Sequence, residues 1–370
     1  MIRHLYRPMA AAALLTGLLC IFCRKEHQRP TDALSGEQRK LSSTISARED
    51  TVDSTRQLSR ELFDIIRNNP AGDTTGEVMK SFNRKLDSAA LVLSSSLFME
   101  TDPRRIIGTV SDYIFTTWGI TFNDDRDNIR YLYPHLVVAG KQGSCVGMSL
   151  LYLLIAEKAG LPLYGVRAPG HLFVRFDNGR ERYNIETLRG GETMDNGWYR
   201  RRWSIRDTNL YPLDNLSTSG VLAVVHYNLG TIFMKEGKNE QALLHLENAT
   251  RLLPDFPEAQ GNLALTCDAL GKSRKALAIL TAIRDAHPSL ENIDRNLASL
   301  QLKCARYNDA LSTYSELTFR NPEEPEFHFG RAVALSQLGR ADDAREAARQ
   351  TLVLRPGHQG AAQLLARLGK

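Results

Sequence analysis

Cysteine is scarce in this chain of 370 residues: five in all, with Cys20 and Cys23 near the start. The other three, Cys145, Cys267 and Cys304, make no disulfide framework. Long hydrophobic runs are lacking as well. The most apolar stretch, Met9 to Phe22, falls short of the roughly 20 residues a membrane-spanning helix needs. Charge of one sign does not dominate either. A net charge of +5 is too mild to require a nucleic-acid partner. The densest basic cluster, WYRRRWSIR from Trp198 to Arg206, reads as a solvated loop with no groove-reading element beside it. Cys145 and His171 alone supply only two metal ligands, too few for a zinc site. No metal, cofactor or nucleic acid is therefore expected.

What is present divides the chain in two, as its length suggests. Arg3 and Arg7 precede the short apolar run, the pattern of a secretory signal over residues 1–23. Cys20 or Cys23 could carry a lipid, although Leu19 and Phe22 stand where a lipobox has a small residue. An uncleaved anchor is the alternative. Residues 24–45 are polar and serine-rich, a linker. Two amphipathic helices follow, separated by PAGDTTG, and then a third whose Ile106, Ile107, Val110, Tyr113, Ile114 and Trp118 recur at helical spacing.

The C-terminal part is periodic. Pro254, Pro288, Pro322 and Pro356 are spaced by 34 residues, and so are Ala242, Ala276, Ala310 and Ala344. Gly237, Gly271 and Gly339 keep the same phase, with Ala305 in the remaining place. This pattern resembles tetratricopeptide (TPR) repeats: four of them, closed by a helix in the tail, over residues 217–370. Such stacks bind a protein or peptide on their concave side. Cys267 and Cys304 fall at inward positions on the first helices of repeats two and three and read as buried structural thiols.

The middle segment carries the chemistry. Ser144 can cap a helix whose first turn holds Cys145, and Gly160 with Pro162 ends it. Making a thiol mostly ionised at neutral pH needs a pKa drop of about 2 units, roughly 2.7 kcal/mol. A helix N-terminus supplies about 0.3–1 kcal/mol when exposed and about 2 when partly buried, so an imidazolium partner is required. His171 is the candidate. Ala168-Pro169-Gly170 marks one turn and Asn178-Gly179 another. With Asn178-Gly179 at the tip, Phe176 faces Glu181, Phe173 faces Asn184 and His171 faces Glu186. That register selects Glu186 as the group that orients the imidazole.

GSCVGMSLLYLLIAEKAGLPLYGVRAPGHLFVRF, followed by NIETLRGG, resembles the bacterial transglutaminase-like proteins that carry TPR repeats behind the core. The resemblance spans about residues 104–191. It implies an α+β fold akin to the papain-like cysteine proteases, a helix-borne cysteine on a small antiparallel sheet, here over residues 46–216 and followed by the all-α TPR solenoid. It also implies Cys145 as nucleophile, His171 as general base and Glu186 where an aspartate is usual. The implied reaction is acyl transfer on amide bonds: hydrolysis, deamidation or cross-linking. The oxyanion would be held by the Cys145 N–H and a second donor, for which Gln142 is a candidate. The family also includes members without a full triad. The alternative expectation is therefore an inactive scaffold that holds partners in the cell envelope.

Overall fold

The computed structural model describes residues 57–69, 75–206, 210–288 and 290–369. The expected leader (1–23), the linker (24–45) and the start of the first domain at residue 46 lie outside the described residues. Among the described residues, no helix is long and apolar enough to cross a membrane.

Three helices open the chain: α1 (Leu58–Arg67), α2 (Gly76–Ser96) and α3 (Pro103–Asp112). Each buries one stripe, Leu58, Leu62 and Ile66 on α1 and Phe82, Leu86 and Leu93 on α2. This is the spacing by which an amphipathic helix covers a core. Thr75 and Asp102 cap α2 and α3 with their side-chain oxygens. Beyond α3 the chain loosens into a π-helical turn, Tyr113–Thr117. A two-residue strand, β1 (Thr121–Phe122), then pairs in parallel with β2 (Gln142–Gly143), and α4 (Pro134–Gly140) lies between them.

The central helix, α5 (Cys145–Ala159), is buried at every position from Cys145 to Ala156. A helix apolar on all sides belongs inside, and α5 is the axis on which the domain is built. It packs against β4 of an antiparallel sheet ordered β3 (Leu163–Ala168), β4 (His171–Asp177), β5 (Arg182–Glu186) and β6 (Glu192–Met194). The Pro169-Gly170 turn sits where the sequence placed it; β6 was not foreseen.

The β4–β5 register differs from the sequence expectation. Asp177 pairs with Arg182, Arg175 with Asn184 and Val174 with Ile185, so the loop holds four residues instead of two. The Asn178 side chain accepts N–H bonds from Arg180 and Glu181, and Gly179 takes φ +81°, which together close that longer turn. The slip is two residues. Because side chains alternate with period two, His171, Phe173, Asn184 and Glu186 keep a common face. Glu186 is therefore a diagonal neighbour of His171, one step along from the directly facing position.

After α6 (Asn196–Arg202), α7 (Thr218–Lys235) begins the solenoid. It pairs with α8 (Asn239–Leu252), α9 (Pro257–Ala269) with α10 (Ser273–Ala286), α11 (Glu291–Lys303) with α12 (Tyr307–Arg320), and α13 (Pro325–Gln337) with α14 (Ala341–Leu354). The closing helix is α15 (Gln359–Leu368). The four phased alanines are wholly buried. The glycines of the inter-helix turns adopt left-handed backbone with φ between +73° and +76°, and Ala305 takes the same conformation at +58°. Cys267 is buried on α9, but Cys304 is the half-buried C-cap residue of α11 and not an inward helical position.

The two parts share a core. Val221, Leu222 and Val225 of α7 belong to the same apolar cluster as α1, α5 and β4. Leu216 N–H donates to Gly165 O at 2.8 Å. Arg167 of β3 pairs with Glu258 of α9 at 3.0 Å and lies over the Phe256 and Tyr211 rings.

Candidate active site

The start of α5 is fixed before any chemistry is considered. Ser144 Oγ accepts the Gly147 N–H and donates to Tyr131 O, and the Ser144 N–H donates to the same carbonyl. Gly147 allows that approach, because a Cβ there would stand 2.1 Å from Tyr131 O. Cys145 is thus held in the first turn, at the positive end of the helix dipole. Ser149 Oγ, one turn further on, donates to Leu172 O and ties the helix to β4 beside His171.

His171 opens β4, and its Nε2 lies 3.0 Å from Glu186 Oε2. The other Glu186 oxygen accepts the Leu188 N–H at 2.9 Å, so both carboxylate oxygens are engaged. Nδ1 of His171 is buried and makes no closed hydrogen bond of its own among the described residues. The Cys145 thiol and the imidazole are close enough to act on each other. Asn184, the other polar residue on this face, is occupied elsewhere: its amide accepts from Arg175 and donates to Met194 O and Asn196.

The electrostatics follow from this packing. Burial pushes the Cys145 thiol up. The hydrogen bond and charge of His171, then the Leu172 N–H and Arg126, outweigh burial and hold it below its ordinary value. Burial likewise favours neutral His171, but the thiol and then Glu186 push it up to about 9. Each shift points toward a thiolate–imidazolium pair.

The site is covered. Cys145 is 4% exposed, and the side chains of His171 and Glu186 are fully buried. Trp203 stacks on the His171 ring with centroids 4.2 Å apart and planes 10° apart, and Tyr199 and Phe173 extend the stack. Trp203 and Tyr199 come from the basic cluster, Phe173 from β4. That cluster is no loop: Asp195 caps α6, its arginines face solvent, and Tyr199 turns inward. The Tyr199–Trp203 spacing of four residues lets those two rings stack on each other, but nothing local in the sequence ties them to His171. Gln142 is exposed at the end of β2, and its Oε1 accepts from Asn123 Nδ2 at 2.9 Å. Among the described residues, no group of three or more His, Cys, Asp or Glu side chains could hold a metal ion.

Comparison with known families bears on this arrangement. A transglutaminase-like superfamily model matches residues 80–211, and two tetratricopeptide repeat models match residues 233–304 and 295–359. The chain carries a transglutaminase-like domain ahead of tetratricopeptide repeats. A UPF0162 protein of Xylella fastidiosa (strain 9a5c) is 24% identical over 197 residues, covering 51% of this chain and 70% of that protein. The F-box only protein 21 of Homo sapiens is 33% identical over 90 residues, 24% of this chain and 14% of that protein. Among solved structures, MamA from Desulfovibrio magneticus RS-1 is 18% identical with a TM-score of 0.39, covering 40% of this chain and 83% of its own. YrrB, described as a TPR protein with an unusual peptide-binding site, is 16% identical with a TM-score of 0.37, covering 38% and 73%. Cys145, His171, Glu186 and the covering Tyr199 and Trp203 all lie inside the matched transglutaminase-like domain.

Proposed function

We propose that this protein is an exported thiol enzyme that acts on amide bonds of proteins or peptides by acyl transfer. The observation that carries the reading is a buried imidazole 3.0 Å from a carboxylate, close enough to a helix-start thiol to hold it below its ordinary value. In this reading the Cys145 thiolate attacks the amide carbonyl, and His171 protonates the leaving amine. Water or a second amine then takes the acyl group. Glu186 keeps the imidazole oriented and charged. N–H groups at the start of α5 and the Gln142 amide hold the oxyanion. The repeats bind a protein or peptide partner, and the N-terminal segment directs the chain to the cell envelope, with a lipid on Cys20 or Cys23.

The same thiol could also sit in an inert, partner-holding platform. The full burial of the His171 and Glu186 side chains favours that second reading. Alkylation by iodoacetamide at about pH 6 separates the two, since an ordinary thiol is mostly protonated there. An activated Cys145 reacts well ahead of Cys267, whose burial pushes its thiol up, and ahead of Cys304. That excess disappears in His171→Ala. Equal sluggishness of all three thiols would sink the enzyme reading. Mass-spectrometric trapping of an acyl adduct on Cys145 from envelope extract would then identify the substrate.

A further inference from the structure

One exposed cation stands at the edge of the thiol site. Arg126 lies on the loop after β1, its side chain 51% exposed, and its Nη1 donates to Gly170 O at 3.0 Å. Gly170 ends the β3–β4 turn and immediately precedes His171, and a Cβ placed on it would lie 3.7 Å from that Nη1. The guanidinium is close enough to Cys145 for its charge to act on the thiol.

The loop also carries three carboxylates. Asp127 is taken up by Lys235 of α7, and Asp125 accepts the Asp127 N–H. Asp124 is 81% exposed and forms a 3.7 Å ion pair with Arg126 Nε, too long for a hydrogen bond and open to exchange for another carboxylate. Among the described residues, the single hydrogen bond of Arg126 is the one to Gly170 O. The guanidinium is half exposed, so the rest of its fork is open to a carboxylate.

Resting on the reading of Cys145 as a nucleophile, we propose that Arg126 selects substrates with a carboxylate next to the amide under attack, so that the enzyme acts on acidic peptides.

The full chain can be tested with two reagents of nearly equal size and opposite polarity, anionic iodoacetate and neutral iodoacetamide. In both, Cys145 Sγ attacks the CH2 carbon, a C–S bond forms, the C–I bond breaks and iodide leaves. Rates at Cys145 are followed by mass spectrometry at about pH 8, and because both reagents meet the same thiol, their ratio cancels any change in its ionisation. The iodoacetate-to-iodoacetamide ratio falls by about tenfold in Arg126→Met and is largely recovered in Arg126→Lys. Added salt lowers the ratio in the wild type and leaves it flat in Arg126→Met. An arginine that merely clamps Gly170 would slow both reagents alike. An unchanged ratio with fast iodoacetamide labelling overturns this inference and leaves the nucleophile standing. If neither reagent modifies Cys145 ahead of Cys304, the nucleophile reading falls and this inference with it.

Discussion

Replacing Glu186 by glutamine isolates the carboxylate that holds His171. The amide keeps the size of the side chain and can still accept the Leu188 N–H, so the turn after β5 is preserved. What is lost is the negative charge 3.0 Å from Nε2 in a dry site. A hydrogen bond to a charged group contributes about 1.5–3 kcal/mol, and about 1.4 kcal/mol corresponds to one pKa unit. His171, pushed up to about 9 in the wild type, should therefore fall by about 1–2 units. The imidazole is the first of the groups that lower Cys145, so the thiol rises in step. Iodoacetamide labelling of Cys145 measured across pH should shift its inflection upward by at least about one unit, with roughly a tenfold loss of rate at about pH 6. Glu186→Asp sharpens the test. Withdrawing the carboxylate by one methylene opens the 3.0 Å contact to about 4.5 Å, past hydrogen-bonding range, because the residue reaches His171 along a diagonal. The aspartate variant should resemble the glutamine one. A wild-type profile in either variant would refute the assignment of Glu186.

Four further outcomes are expected. Trp203→Ala removes a ring stacked on the imidazolium, a contribution of about 0.5–2 kcal/mol, so the His171 ring protons should titrate lower by NMR. Gly147→Ala drives a methyl group into Tyr131 O and should lower stability in urea by about 3 kcal/mol, the upper end for overpacking. Ala305→Gly relieves left-handed backbone at φ +58° and should gain about 0.5–1 kcal/mol with a raised Tm. His171 is raised from an ordinary 6.5 to about 9, so its stabilisation is fully present below about 6.5 and is lost as pH rises through about 9. Urea midpoints compared with His171→Gln across that window should show the gap closing.

How much was legible depended on the range of the determinant. The repeats were plain because their phase is carried by alanines and turn glycines that recur whatever surrounds them. The two ends of α5 were equally plain, since the Ser144 cap and Gly160 act within a few residues of themselves. The hairpin register was not. Asn178-Gly179 suggested a two-residue tip, whereas the Asn178 side chain bridges four residues. Glu186 nevertheless lies 3.0 Å from His171, because a slip of two keeps the same sheet face. Trp203 was missed because its arginine neighbours drew attention to charge, and its contact with His171 spans 32 positions of sequence that no local rule connects. The position of Cys304 was missed by a single residue at a helix end.

The two ends of the solenoid differ in independence. The last two repeats and the closing helix bury their own small clusters around Ala310, Phe327, Ala344 and Leu364. The opening pair instead completes the interior beneath the sheet, through Val221, Leu222 and Val225, and Glu258 of the second pair grips Arg167 and Tyr211. Shortening from the C-terminus by whole units should leave a well-behaved protein that merely has a shorter reach. Severing the chain near Ser217 would strip a wall from the transglutaminase-like half. Exchange of recognition units among such proteins is therefore open downstream of the second pair and closed upstream of it.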